Sequence, residues 1–85
     1  AYIAESSFIP ANTEFKGNST IGKNCTLGNN VTVENSIIWD NVTIADNVII
    51  SNSVIASGCV IKDDVYSSVI GANEVISEEA LKFNT

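Results

Sequence analysis

The sequence predicts an all-β fold, a parallel β-helix wound as a triangular solenoid of about 4–5 coils, and three observations predict it. A large apolar residue returns about every six positions: Ile3, Ile9, Phe15, Ile21, Leu27, Val33, Ile38, Ile44, Ile50, Ile55, Ile61, Ile70 and Ile76. A small turn former stands three positions after nearly all of them, most often Asn. Val, Ile and Thr, the residues that suit a short pleated strand, fill much of the remainder.

A chain that turns a corner every six residues needs a residue that tolerates positive φ there, and Gly, Asn and Asp visit that region most cheaply. The first coil is written IAESSF, IPANTE and FKGNST, with Ser6, Asn12 and Asn18 at the corner position. The second is IGKNCT, LGNNVT and the five-residue VENSI, with Asn24, Asn30 and Ser36. The third is IWDNVT, IADNVI and ISNSV, with Asn41, Asn47 and Ser53. The fourth is IASGCV and the contracted IKDDVYSSV, with Gly58 and Asp64; IGANEV, with Asn73, opens the fifth.

Stacking these coils builds three ladders. Ile3, Ile21, Ile38, Ile55 and Ile70 form one, Ile9, Leu27, Ile44, Ile61 and Ile76 the second, and Phe15, Val33, Ile50 and Val65 the third. The fifth position of each unit is expected to point inward beside them: Ser7, Thr13, Ser19, Cys25, Val31, Ile37, Val42, Val48, Val54 and Cys59. The contraction between Ile61 and Ile70 makes Val65 and Tyr66 an irregular corner, and Glu74 falls on an inward position. The repeat occupies residues 1–76. The tail, 77–85, reads as a short capping helix, with Ser77 as N-cap, Glu78 and Glu79 in the first turn, and Leu81 and Phe83 over the open end.

Composition narrows the function. The formal net charge is −6, with Lys16, Lys23, Lys62 and Lys82 the only cations and no Arg. Nucleic acid and anionic membranes are bound by clustered Lys and Arg, so neither is an expected partner. No apolar run approaches the roughly 20 residues of a membrane span. No basic-then-apolar leader opens the chain, and its first residues already follow the repeat, so it reads as part of a longer protein. Cys25 and Cys59 fall on one inward stack two coils apart, about 9.5 Å at strand spacing, too far for a disulfide. Two free thiols fit a reducing, cytoplasmic setting. The chain has no His.

The units IGKNCT, LGNNVT and IADNV resemble the hexapeptide repeat of left-handed parallel β-helices, and the left hand is implied by that resemblance. The alternation of six-residue units with a five-residue "NS" unit, across 24–55, is similar to the C-terminal β-helix of the sugar nucleotidyltransferase-like family. That family includes ADP-glucose and GDP-mannose pyrophosphorylases and the gamma and epsilon subunits of the guanine-nucleotide exchange factor of translation initiation. SIIWDNVTI, Ser36 to Ile44, with Trp39 where Gly commonly sits, looks most like the epsilon subunit. The resemblance implies a non-catalytic scaffold domain that associates with protein subunits of a larger complex or forms a homo-oligomer. The nucleotidyltransferase chemistry would belong to a separate α/β domain with a Gly-rich loop, which this chain lacks.

Candidate sites are few. Acyl transfer on this fold resembles a reaction that needs a His base near neutral pKa, so the alternative reading is a fragment of a hexapeptide-repeat acyltransferase whose His lies outside the chain. Zinc-dependent hydration by His ligands is excluded. Asp46, Asp63 and Asp64 are read as corner acids rather than a cation site. The four Asn-x-Ser/Thr triplets at Asn18, Asn24, Asn30 and Asn41 arise from the repeat itself. Thr20, Thr26 and Thr32 step round the three faces, unlike an ice-binding array. No catalytic residue, cofactor or metal ligand is expected. The interface candidates are Trp39, outward in a column otherwise made of Ala4, Gly22, Ala56 and Gly71, and more weakly Tyr66. For Trp39, a contact knob and a ring laid over the corner remain equal readings.

Overall fold

Between corners, the paired branched residues form thirteen short parallel strands in the computed structural model, which describes residues 1–77. Each strand hydrogen-bonds to the strand one coil away, so three flat sheets close a three-sided solenoid. Sheet A stacks β1 (Tyr2–Ile3), β3 (Thr20–Ile21), β6 (Ile37–Ile38), β9 (Val54–Ile55) and β12 (Val69–Ile70). Sheet B stacks β4 (Thr26–Leu27), β7 (Thr43–Ile44), β10 (Val60–Ile61) and β13 (Val75–Ile76), with Phe8 bridging to Thr26 below. Sheet C stacks β2 (Glu14–Lys16), β5 (Thr32–Glu34), β8 (Ile49–Ser51) and β11 (Val65–Tyr66). The chain runs A to B to C in every coil. Vertex 1 therefore lies between A and B, vertex 2 between B and C, and vertex 3 between C and A.

The three aliphatic ladders stand in register as the repeat requires. Ile3, Ile21, Ile38, Ile55 and Ile70 pair rung to rung in sheet A. Leu27, Ile44, Ile61 and Ile76 do so in sheet B, and Phe15, Val33, Ile50 and Val65 in sheet C. Ile21, Leu27, Val33, Ile38, Ile44, Ile50, Ile55 and Ile61 are all at most 1% exposed, in one continuous core with Cys25, Val31, Val42, Val48 and Cys59. Both cysteines are buried free thiols.

The five-residue units depart from expectation. Ile37 and Val54, expected inside, point outward, and Ser36 and Ser53 are buried in their place. The left-handed residue at vertex 3 stands one position before the expected one at Gly17 (φ 65°), Asn35 (46°) and Asn52 (51°), and Ser67 (48°) takes that place in the contracted coil. Asn24, Asn30, Asn41, Asn47, Gly58 and Asn73 turn the other corners with positive φ as expected, whereas Ser6, Asn12 and Asp64 do not enter that region. The physical reason is a hydroxyl ladder. Ser36 Oγ donates to Glu34 O (2.7 Å) and accepts from Ser53 N (3.0 Å). Ser53 Oγ donates to Ser51 O (2.8 Å) and accepts from Ser68 N (3.1 Å). A short side chain that satisfies two backbone groups fits the tightened corner, where an Ile would not. Satisfaction is not automatic: inward Thr13 Oγ1 finds no partner. Ser53→Ala orphans Ser68 N and leaves Ser51 O with only its bond from Ser67 N (2.9 Å), so denaturant titration should show a loss of about 1–3 kcal/mol.

A second correction concerns the contracted stretch. Val65 and Tyr66 are a regular strand paired with Ile50 and Ser51, and the missing residues come out of vertex 2, at Lys62–Asp64. Asp64 Oδ1 accepts from Ile49 N one coil below (2.8 Å) and so ties the tightened corner down. Glu74 occupies the stack of Cys25, Val42 and Cys59 at the last described rung, where it is exposed. The helix expected at 77–85 lies, apart from Ser77, outside the described residues.

Candidate interaction surface

The acidic residues of the corners serve the scaffold. Asp40 Oδ1 accepts from Lys23 N (2.8 Å), Asp46 Oδ1 from Asn29 N (2.7 Å), and Asn35 Oδ1 from Asn18 N (3.1 Å). Each closes a backbone donor in the coil below, the use to which turn carboxylates and amides are suited. Asn12, Asn30 and Asn47 add an amide ladder up vertex 2, at 3.0 and 3.3 Å. Among the described residues no group of three or more His, Cys, Asp or Glu converges to hold a metal ion, Asp46, Asp63 and Asp64 included. An open depression of about 480 Å³ is lined by Tyr2, Ala4, Glu5, Ser6 and Lys23, where Ser6 Oγ accepts from Asn24 N (3.2 Å) and is not hydrogen-bonded to Glu5 or Lys23.

Trp39 is held differently. Its backbone is tied to both neighbouring coils: its N–H donates to Ile55 O (2.9 Å) and its carbonyl accepts from the Cys25 thiol of the preceding coil (2.9 Å). Its side chain is 56% exposed. The register places Gly22 and Ala4 on one side of it and Ala56 and Gly71 on the other, so no bulky side chain of its own column covers the ring. A large aromatic on a backbone this fixed costs little conformational entropy to present, and aromatics of this kind are enriched at interface hot spots.

Tyr66 is equally exposed but stands elsewhere, on the vertex-3 edge of sheet C in the column of Lys16, Glu34 and Ser51. Trp39 is on vertex 1, so the fold does not bring the two candidates into one patch. Tyr66 Oη donates to Asp64 Oδ2 (3.4 Å). Partial desolvation, then the charge of Asp64 and this hydrogen bond, hold the phenol above its ordinary pKa.

The sequence reading missed a set of outward apolar residues on sheet A. Tyr2, Thr20, Ile37, Val54 and Val69 form one outward column, and Tyr2, Ile37 and Val69 are exposed. The signal was present in the two "NS" pairs: once Ser36 and Ser53 are placed inside, Ile37 and Val54 must face out.

Two comparisons bear on this surface. The family model described as EIF2B subunit epsilon LbH domain matches residues 1–81 of the chain. No curated protein matches it significantly.

Proposed function

The chain belongs to the EIF2B subunit epsilon LbH domain family, and from that premise we propose that it is the non-catalytic assembly domain of a nucleotidyltransferase-like protein. Its task is contact with other subunits of the translational guanine-nucleotide exchange complex. The setting is cytoplasmic, in keeping with a translation-factor family and two buried free thiols. The left-handed β-helix supplies rigidity, and the side chains it presents supply contact. The observation that carries this reading is Trp39, more than half exposed on a backbone bonded to the coils on either side. Tyr66 is the second contact candidate, on a separate edge.

The acyltransferase alternative requires a His from outside this chain, and no observation favours it. The chemistry of the parent protein, if it has any, lies in its other parts.

The test is co-purification of the tagged chain with the other exchange-factor subunits, identified by mass spectrometry. Trp39→Ala should weaken the association by about 30-fold or more, the threshold of a hot-spot truncation, with the circular dichroism of the solenoid unchanged. Tyr66→Ala should have a smaller effect. Equal recovery by the parent chain and both variants would remove Trp39 and Tyr66 from the interface.

A further inference from the structure

We propose that Cys25 is a positioning residue of the contact surface, and that its buried thiol fixes the direction in which Trp39 is presented to a partner subunit. The inference rests on the reading of Trp39 as a contact residue and adds to it a residue that never reaches the surface.

Trp39 O needs a donor from the preceding coil, and the two nearest backbone N–H groups there are already used. Gly22 N donates to Ile38 O (2.8 Å) and Lys23 N to Asp40 Oδ1 (2.8 Å). Cys25, 1% exposed, supplies the donor instead, with Sγ at 2.9 Å from Trp39 O. A thiol is a weak donor, but a carbonyl left without any partner is costlier still.

The stack that holds Cys25 shows what the position is for. Ser7, Cys25, Val42 and Cys59 follow one another up the inside of vertex 1, in step with the bonds Phe8 N to Cys25 O, Thr26 N to Val42 O and Thr43 N to Cys59 O. Each polar member donates to the corner carbonyl one coil on: Ser7 Oγ to Gly22 O (2.6 Å), Cys25 Sγ to Trp39 O, and Cys59 Sγ to Gly71 O (3.0 Å). Val42, fully buried in the same stack, has nothing to donate to Ala56 O. Val therefore meets the need for bulk, and Ser makes the same bond as Cys. Donation is what Cys25 adds. Of the three carbonyls served in this way, only that of Trp39 belongs to a residue with a large side chain.

Position decides the consequence. A peptide group is planar, so fixing Trp39 O fixes the plane that joins Trp39 to Asp40. Trp39 N, bonded to Ile55 O at 2.9 Å, fixes the plane on the other side. The indole leaves from the Cα between these planes, and the two bonds together set its direction. Without the thiol one plane is released, and only a fraction of the molecules hold the ring where the partner meets it. Apparent affinity falls by that fraction. A single net hydrogen bond corresponds to a factor of roughly 3–10.

Two quantities test this in the full chain: its affinity for the exchange-factor subunits and the emission maximum of its single tryptophan. Cys25→Val should weaken association about three- to tenfold, less than Trp39→Ala does, and should shift the emission. Cys59→Val, which removes the same bond at Gly71, should lower the urea midpoint by a similar amount yet leave association and emission as in the parent chain. Cys25→Ser should restore both readouts, since Ser7 shows that a hydroxyl in this stack reaches the corner carbonyl. That rescue also separates donation from any direct effect of a thiol on the indole. If Cys25→Val matches Cys59→Val in both readouts, or Cys25→Ser behaves as Cys25→Val, the proposal is overturned while the contact role of Trp39 stands. Full association by Trp39→Ala would instead remove the contact reading, and the role of Cys25 with it.

Discussion

Ile38→Ala should cost the solenoid about 3–4 kcal/mol, within the 2–5 kcal/mol of buried Ile-to-Ala truncations. Ile38 is 1% exposed at the centre of its ladder, between Ile21 and Ile55, which are fully buried. Sites that collapse after truncation lose mostly transfer energy, while sites that cannot collapse also keep a cavity. This one cannot. The backbone at Ile37–Ile38 is hydrogen-bonded to the coils on both sides, with Ile37 N to Ser53 O at 3.0 Å on one and Gly22 N to Ile38 O at 2.8 Å on the other. The strands that would have to close in are held at sheet spacing. Ile3→Ala, in the same ladder at an outer rung and 38% exposed, should cost less than about 1.5 kcal/mol. The measurement is the urea midpoint at constant slope. Equal losses at the two positions would mean that burial in the stack does not set stability as described.

That contrast follows from a feature the sequence made plain. A residue at the head of each unit was legible because burial in this fold is periodic: position along the chain fixes both face and height. Thus Ile38 was assigned its neighbours Ile21 and Ile55 from spacing alone, and the register agrees. The corners at Asn24, Asn30, Asn41 and Asn47 were legible for a similar reason, since a backbone angle near 60° selects for Asn over most residues.

What was not legible was the phase of the short units. Dropping one residue from a six-residue turn leaves two choices, a polar corner with a branched residue inside or a polar residue inside with the branched one out. Hydrophobicity favours the first, and Ile37 and Val54 were read that way. The second wins because Ser36 and Ser53 recover backbone hydrogen bonds inside the corner, an energy invisible to a pattern of apolar residues. The same error hid the outer face of sheet A. The contracted fourth coil was misjudged similarly: the count showed that residues were missing, but not which vertex lost them. For the candidate site, Trp39 was legible as an outward residue among small ones, since its column is fixed by the ladder next to it. Its anchoring was not, because the Cys25 Sγ contact joins residues 14 apart in sequence.

Gly22→Val should cost about 3 kcal/mol, the upper end of what overpacking costs in a closed site. Gly22 needs no unusual φ; its requirement is space. A Cβ there would stand 2.7 Å from the carbonyl carbon of Trp39 and 2.8 Å from its carbonyl oxygen, and would press on the Asp40 carboxylate. Two of those three contacts are backbone of the next coil and cannot swing aside. The third is the group that accepts from Lys23 N at 2.8 Å, so relief by moving Asp40 breaks a corner bond. Gly71 occupies the same column at the last rung, where a Cβ meets nothing closer than Glu74 Oε1 at 3.8 Å. Gly71→Val should accordingly cost under about 1 kcal/mol. The pair separates crowding between coils from any general aversion to branched residues at this position. Because the displaced backbone is that of Trp39, the emission maximum of this single tryptophan should shift in Gly22→Val and stay put in Gly71→Val. If the two variants match in both stability and emission, close approach of the coils at vertex 1 is not what the small residues there are for.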